Sequence, residues 1–211
     1  MVNAIVDVGP PALERLTTNQ RARRDRIVHA ARDLLEHSEY DRIQMRDIAD
    51  ESNVALGTVY RYFASKEHLF AAVLVEWSDS LHFRVQRRPL SGTTPDRMLD
   101  DLMGRVLNAF DRYPQFLRVI VLLDNTPDVF ARELHAEFSS HTESTFLDAL
   151  DGVAPDDAEA VISVVKAVLW TSLRAWSHGL ITIKQAKGEV SRCIDLIFSV
   201  GPKFMMKKAP N

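Results

Sequence analysis

Cysteine is nearly absent from this chain: its 211 residues hold one, Cys193. A single cysteine excludes an intramolecular disulfide and a cysteine-ligated zinc ribbon. Its neighbours Ile194, Ile197 and Phe198 make it read as a small hydrophobe in a helix. Long apolar runs are missing too. The most apolar stretch, Val161 to Trp170, is broken by Ser163 and Lys166 and is too short to span a bilayer. The first residues lack a basic start followed by an apolar run, so no signal peptide is expected, and a cytoplasmic protein is. No glycine-rich phosphate loop, nucleophile elbow or paired metal motif occurs. His135 and His141 are spaced wrongly for one helical face. An enzyme, a metal site and a cofactor are therefore not expected. Nor is there an excess of positive charge: the net charge is −3. A polyanionic partner would have to be met by local charge.

Such local charge exists. Residues 20–26, QRARRDR, set four arginines against one aspartate. The cluster reads either as a solvated helix face or as a phosphate-binding arm. Beside it stands the most informative stretch, Gln44 to Lys66, QMRDIADESNVALGTVYRYFASK. It reads as a helix, a tight turn, a short helix and the start of another. Ala49 is small where two helices would touch. Asn53 tolerates the left-handed backbone that ends a helix. Val54 and Val59 anchor the short helix, which otherwise carries Gly57, Thr58, Tyr60, Arg61 and Tyr62. Gly57 would let that helix approach bases closely, and Thr58 can give a hydroxyl to phosphate or a methyl to thymine. Tyr60, Tyr62 and Lys66 suit phosphate contacts. The competing reading is a helical hairpin in an adaptor that binds protein.

The remaining periodicity is helical throughout. A first helix is expected at 18–37, a second at 44–51, the short third at 56–62 and a fourth from Lys66, capped by Ser65, to about Val85. A linker at 87–95 follows. Further helices are expected at 95–112, 114–123, 127–149, 155–179 and 183–200. The expected class is all-α with about nine helices. The division reads as a disordered arm at 1–16, a three-helix helix-turn-helix domain at 17–64, a helical effector and dimerisation domain at 65–200 and a flexible tail at 201–211.

The run DIADESNVALGTVYRYFASKEHLF resembles the DNA-binding signature of the TetR family of bacterial transcriptional regulators. Asp47-Ile48-Ala49, Val54, Gly57 to Tyr60, Tyr62-Phe63 and Ser65-Lys66 fall in register. Asn53 departs from the family's usual glycine. The resemblance implies a recognition helix lined by Leu56, Gly57, Thr58 and Tyr60. It implies phosphate contacts from Tyr62 and Lys66, and base or backbone contacts from Gln44 and Arg46. Arg21, Arg23 and Arg24 would reach phosphate or minor groove. Tyr60→Ala and Lys66→Ala are expected to weaken DNA binding and leave melting unchanged.

The resemblance further implies a homodimer on a palindromic operator, repression, and release by a small-molecule effector. The segment Val161, Val164, Val165, Val168, Leu169, Leu173 and Trp176 is apolar over more than one stripe, as a helix shared with a twin would be. Val161, Val165, Val168, Trp176, Ile194 and Phe198 are the expected interface. Met103, Leu107, Phe110, Phe116, Leu117, Val121, Phe130, Phe138, Phe146 and Trp170 are the expected pocket. Their apolar character favours a hydrophobic effector: a lipid, steroid, acyl metabolite or aromatic compound. The chain also resembles the actinobacterial branch that regulates steroid and lipid breakdown.

Overall fold

A computed structural model describes residues 9–200, without the side chains of residues 81, 84–86 and 200. Among the described residues all regular structure is helical. Nine α-helices run α1 Thr18–His37, α2 Met45–Glu51, α3 Leu56–Tyr62, α4 Lys66–Arg87, α5 Pro95–Arg112, α6 Pro114–Leu123, α7 Val129–Asp148, α8 Pro155–Ser177 and α9 Ile183–Val200. Short 3-10 turns occupy Leu13–Arg15 and Tyr40–Arg42.

The helix ends follow from local chemistry. Thr17 and Gln20 form a capping box at α1: the Thr17 hydroxyl accepts from the Gln20 N–H, and the Gln20 carbonyl oxygen accepts from the Thr17 N–H. Pro95, Pro114 and Pro155 occupy the first positions of α5, α6 and α8, where a missing N–H costs nothing. Gly179, at φ +70°, ends α8 in a left-handed turn that few side chains tolerate. The turn at 13–15 and the buried Leu16 carry ordered structure into the expected arm, because Leu16 is held inside and its carbonyl accepts from Arg21. Residues 1–8 of that arm and the expected tail lie outside the described residues.

The described chain divides into two compact units. The first runs up to Glu76 and includes Arg118–Phe138; the second comprises Trp77–Leu117 and the described residues from Ser139 onward. This differs from a cut at residue 64, because α4, α6 and α7 each contribute residues to both units.

In the first unit, α1 buries Ile27, Ala31 and Leu35, α2 buries Ile48, and Val59 and Phe63 follow from α3 and its end. Burial of each large apolar side chain contributes about 1.5–3 kcal/mol relative to exposure. Leu69, Phe70 and Val73 of α4 are buried as well, with Tyr40 edge-on to Phe70 at 5.0 Å. In the second unit α9 packs on both α5 and α8. Trp77 lies 5.2 Å from Phe110 and 5.0 Å from Phe116, and Phe110 meets Trp170 at 6.1 Å. Arg105 donates to the carbonyls of Arg88 and Pro89 and to Asp101, which ties the linker to α5.

Candidate nucleic-acid interface

The turn between α2 and α3 sets the angle of the short helix. Asn53 has φ +53°. Its N–H donates to the Asp50 carbonyl at 3.1 Å, and the Val54 N–H donates to the Ala49 carbonyl at 3.0 Å. These two bonds are the Schellman arrangement that satisfies a helix's last carbonyls. The hydroxyl of buried Ser52 donates back to the Ile48 carbonyl at 2.6 Å, so the turn keeps its polar groups paired.

The helix α3 then has two faces. Val59 and Tyr62 point inward. Gly57, Tyr60 and Arg61 are exposed, Tyr60 at 50%, and Leu56 and Thr58 are half-buried. A Cβ added at Gly57 would meet nothing within 4 Å, so the fold itself does not require glycine there. From α2, Gln44 and Arg46 are exposed, and Arg46 has no ion-pair partner among the described residues. Arg21 is exposed at the start of α1, and Arg23 is half-buried.

Three expected contact residues sit differently. Tyr62, expected at phosphate, is only 3% exposed, because it lies on the Val59 face of a seven-residue helix. Its hydroxyl accepts from Arg61. Arg24 is half-buried with its guanidinium 5.1 Å from the Phe63 ring centre, and burial pulls its pKa down. Lys66 turns back: its ammonium donates to the Tyr40 carbonyl at 2.5 Å and stands 3.9 Å from the Tyr40 ring. Burial lowers its pKa against the pull of Asp41, Glu67 and Asp47. The same group that was to grip phosphate thus fastens α4 to the 40–42 turn. Melting therefore should respond to its removal, contrary to the sequence expectation. Arg61, not among the expected contacts, lies four residues from Gly57 and therefore on its face.

A second set of contacts joins the start of α4 to the α6–α7 turn, all within the first unit. Ser65 caps α4 by accepting from the His68 N–H at 2.9 Å. Asp128 caps α7 by accepting from the Ala131 N–H at 2.9 Å. The Ser65 hydroxyl donates to Asp128 at 2.5 Å, so one hydrogen bond links two helix caps. Burial works against ionisation of Asp128, but the bonds from Ser65 and Ala131 hold its pKa below the usual carboxylate range. His68 is buried between Phe63 at 5.3 Å and Phe130 at 5.5 Å, and its Nδ1 accepts from the Ala64 N–H. Burial first, then Arg24, lowers its pKa to about 4 against the pull of Asp128, so it is neutral at pH 7. Arg118 pairs with Asp41.

This helix-turn-helix is matched by the family model for bacterial regulatory proteins of the tetR family over residues 27–73. The chain is 30% identical over 178 residues to the HTH-type transcriptional repressor KstR of Mycolicibacterium smegmatis, covering 84% of this chain and 85% of that protein. The chain belongs to the TetR family. It is also 29% identical to the HTH-type transcriptional repressor KstR of Mycobacterium tuberculosis, over 84% of this chain and 79% of the relative. A TetR transcriptional regulator from Rhodococcus sp. RHA1 superposes with a TM-score of 0.75 at 25% identity, covering 87% of this chain and all of that one. TetR membership makes this a DNA-binding transcriptional regulator, and the adaptor reading lapses.

The residues expected to form a pocket and an interface divide as follows. Of the expected pocket, Phe110, Phe116 and Trp170 share the aromatic cluster with Trp77. Met103 and Leu107 are buried and line a groove between α5 and α9, and Leu117 and Phe146 are buried in the second unit. Val121, Phe130 and Phe138 belong to the first unit. Val121 is 42% exposed rather than enclosed, Phe130 stacks on His68, and Phe138 stacks on His135. Of the expected interface, Val161, Val165 and Ile194 are consumed inside the chain. Val168, Trp176 and Phe198 are half-buried, and Val164 and Leu196 are the residues left outside, at 50% and 62% exposure. The apolar faces of α8 and α9 are wide enough to serve the chain's own core and still leave Val164 and Leu196 exposed.

Proposed function

We propose that this TetR-family chain is a repressor that binds a palindromic operator as a homodimer and releases it when a hydrophobic effector binds. The observation that carries the reading is the outward face of α3. Gly57 has no internal reason to be glycine, and Tyr60 and Arg61 stand beside it in solvent, next to Gln44 and Arg46 of α2. A helix entering a major groove needs a bare backbone position flanked by phosphate and base donors. We assign base readout to Leu56, Gly57, Thr58 and Gln44, and phosphate contacts to Tyr60, Arg61, Arg46 and Arg21. Residues 17–64 serve DNA and residues 65–200 serve effector binding and dimerisation. The site of action is the chromosome in the bacterial cytoplasm.

A stripe of Val164, Val168, Thr171 and Ala175 on α8 supports the dimer. Its spacing of four, three and four residues is that of a helix seam. Cys193 and Leu196 of α9 continue the same spacing. The aromatic cluster of Trp77, Phe110, Phe116 and Trp170 favours an apolar effector such as a lipid, steroid or acyl metabolite. Its signal is carried to α3 through α4, whose cap is bonded to Asp128 of the α6–α7 turn. An effector acts only through its difference in affinity for the two forms.

The test is binding of the purified protein to its own upstream intergenic DNA against random DNA at two salt concentrations. Tight, salt-sensitive and selective binding is expected. Equal binding to both DNAs at either salt would remove the operator claim.

A further inference from the structure

The described residues hold three glycines inside helices that no left-handed backbone explains: Gly57, Gly104 and Gly188. Gly57 is accounted for at the DNA face. The other two lie inside α5 and α9, past the first turn, where glycine is among the poorest helix formers. Close helix contact does not explain them either. A Cβ at Gly104 would meet nothing within 4 Å, and one at Gly188 would meet only the Arg192 guanidinium, at 3.7 Å. Both glycines line one groove of about 340 Å³ between the two helices. That is the lower end of the ~300–1,000 Å³ usual for small-molecule sites. Its floor is Met103, Leu107 and Val190. Its charges are distributed unevenly. Lys187 stands at the Leu107 end, where its ammonium donates to Asn108 at 2.5 Å and keeps further donors. Asp100 stands at the other end, about 12 Å away along the rise of α5.

We infer that this groove is a second ligand site, on the surface of the regulatory unit, for a straight-chain amphiphile carrying one anionic group. The head group binds at Lys187, with Arg192 adding positive charge from beside Gly188. The chain lies over Met103, Leu107 and Val190 in the space that side chains at 104 and 188 would fill. Asp100 repels a second anionic group, so the ligand is charged at one end only. The inference goes beyond operator binding and stands apart from the aromatic cluster, none of whose side chains lines the groove.

The test is calorimetric titration of the full-length protein with decanoate and with decanedioate, below micelle-forming concentrations. Decanoate should bind the wild type, and decanedioate should bind at least about tenfold more weakly. Gly104→Leu should abolish decanoate binding while melting no lower than wild type, since leucine is a better helix former than glycine. Gly104→Ala provides a milder filling if leucine disturbs α5. Lys187→Met should weaken decanoate about tenfold, the effect of losing a hydrogen bond to a charged group. Decanoate binding that survives Gly104→Leu, is indifferent to Lys187→Met, or is absent from the wild type at millimolar concentration would overturn the site. Operator binding measured on the same variants should be unchanged. That readout separates failure of this groove from failure of the DNA assignment.

Discussion

The outward face of α3 and the outward stripe of α8 and α9 are both surfaces that the chain's own core leaves unused, and they are built from opposite materials. One exposes Gly57, Tyr60 and Arg61 beside Arg46, while the other exposes Val164 and Leu196. The arginines of the first surface bind phosphate by releasing counterions and lose affinity as salt rises. Groups of the second kind bind by removing apolar area from water, which salt does not weaken. In the proposed dimer, salt should thus dissociate the protein from DNA long before it dissociates one copy from another.

The strongest way to break this contrast is to put charge on the apolar stripe. Val164→Glu with Leu196→Glu should give a monomer by analytical ultracentrifugation. Operator affinity should fall by more than about 100-fold, since the two half-sites are no longer bound together. An unchanged dimer would remove the stripe from the interface. Next in size is Tyr60→Ala, expected to weaken operator binding about 10- to 100-fold with association state and melting unchanged. Fluorescence anisotropy with labelled operator would show it, and unaltered affinity would take Tyr60 out of the interface.

A third prediction concerns the joint behind α3. His68 titrates near 6.5 when unfolded and at about 4 when folded, because burial disfavours its charged form. Above pH 6.5 it is neutral in both states and costs nothing. As pH falls from 6.5 to 4 the unfolded chain takes up the proton first, so stability drops, by up to about 3 kcal/mol over the window. Chemical denaturation at pH 7 and pH 4.5 should show a fall that is smaller in His68→Phe. A fourth sharpens the role of Lys66. Lys66→Ala should cost about 1–2 kcal/mol of stability through the lost Tyr40 contacts. Unchanged melting would mean that those contacts do not fasten α4. The smallest effect is at the turn: Asn53→Ala should cost about 1 kcal/mol, because alanine pays more for a left-handed backbone, and Asn53→Gly should cost nothing. Thermal melting of the two side by side checks the order.

The helices were legible because their ends are written in local chemistry. Pro95, Pro114 and Pro155 mark starts, and Gly179 marks a stop. The short helix carrying Gly57 was legible for the same reason, with Asn53 before it. What stayed hidden depends on residues far apart in the chain. Nothing near Lys66 announces that Tyr40, 26 residues earlier, takes its ammonium. Nothing near Ser65 announces Asp128, 63 residues later. The apolar face of α8 is equally ambiguous, since periodicity tells that valines are buried and not by whom. Val164 and Val165 differ by one residue and point to different destinations.

The chain's tryptophans, Trp77, Trp170 and Trp176, all fall in the second unit, two of them within the aromatic cluster. Intrinsic emission excited at the indole band is therefore blind to the helix-turn-helix itself. Any change in that emission on adding operator DNA is light from tryptophans of the second unit. A spectrometer and unlabelled protein then suffice to ask whether the two units communicate, and quenching by an aromatic effector can be followed in the same cuvette.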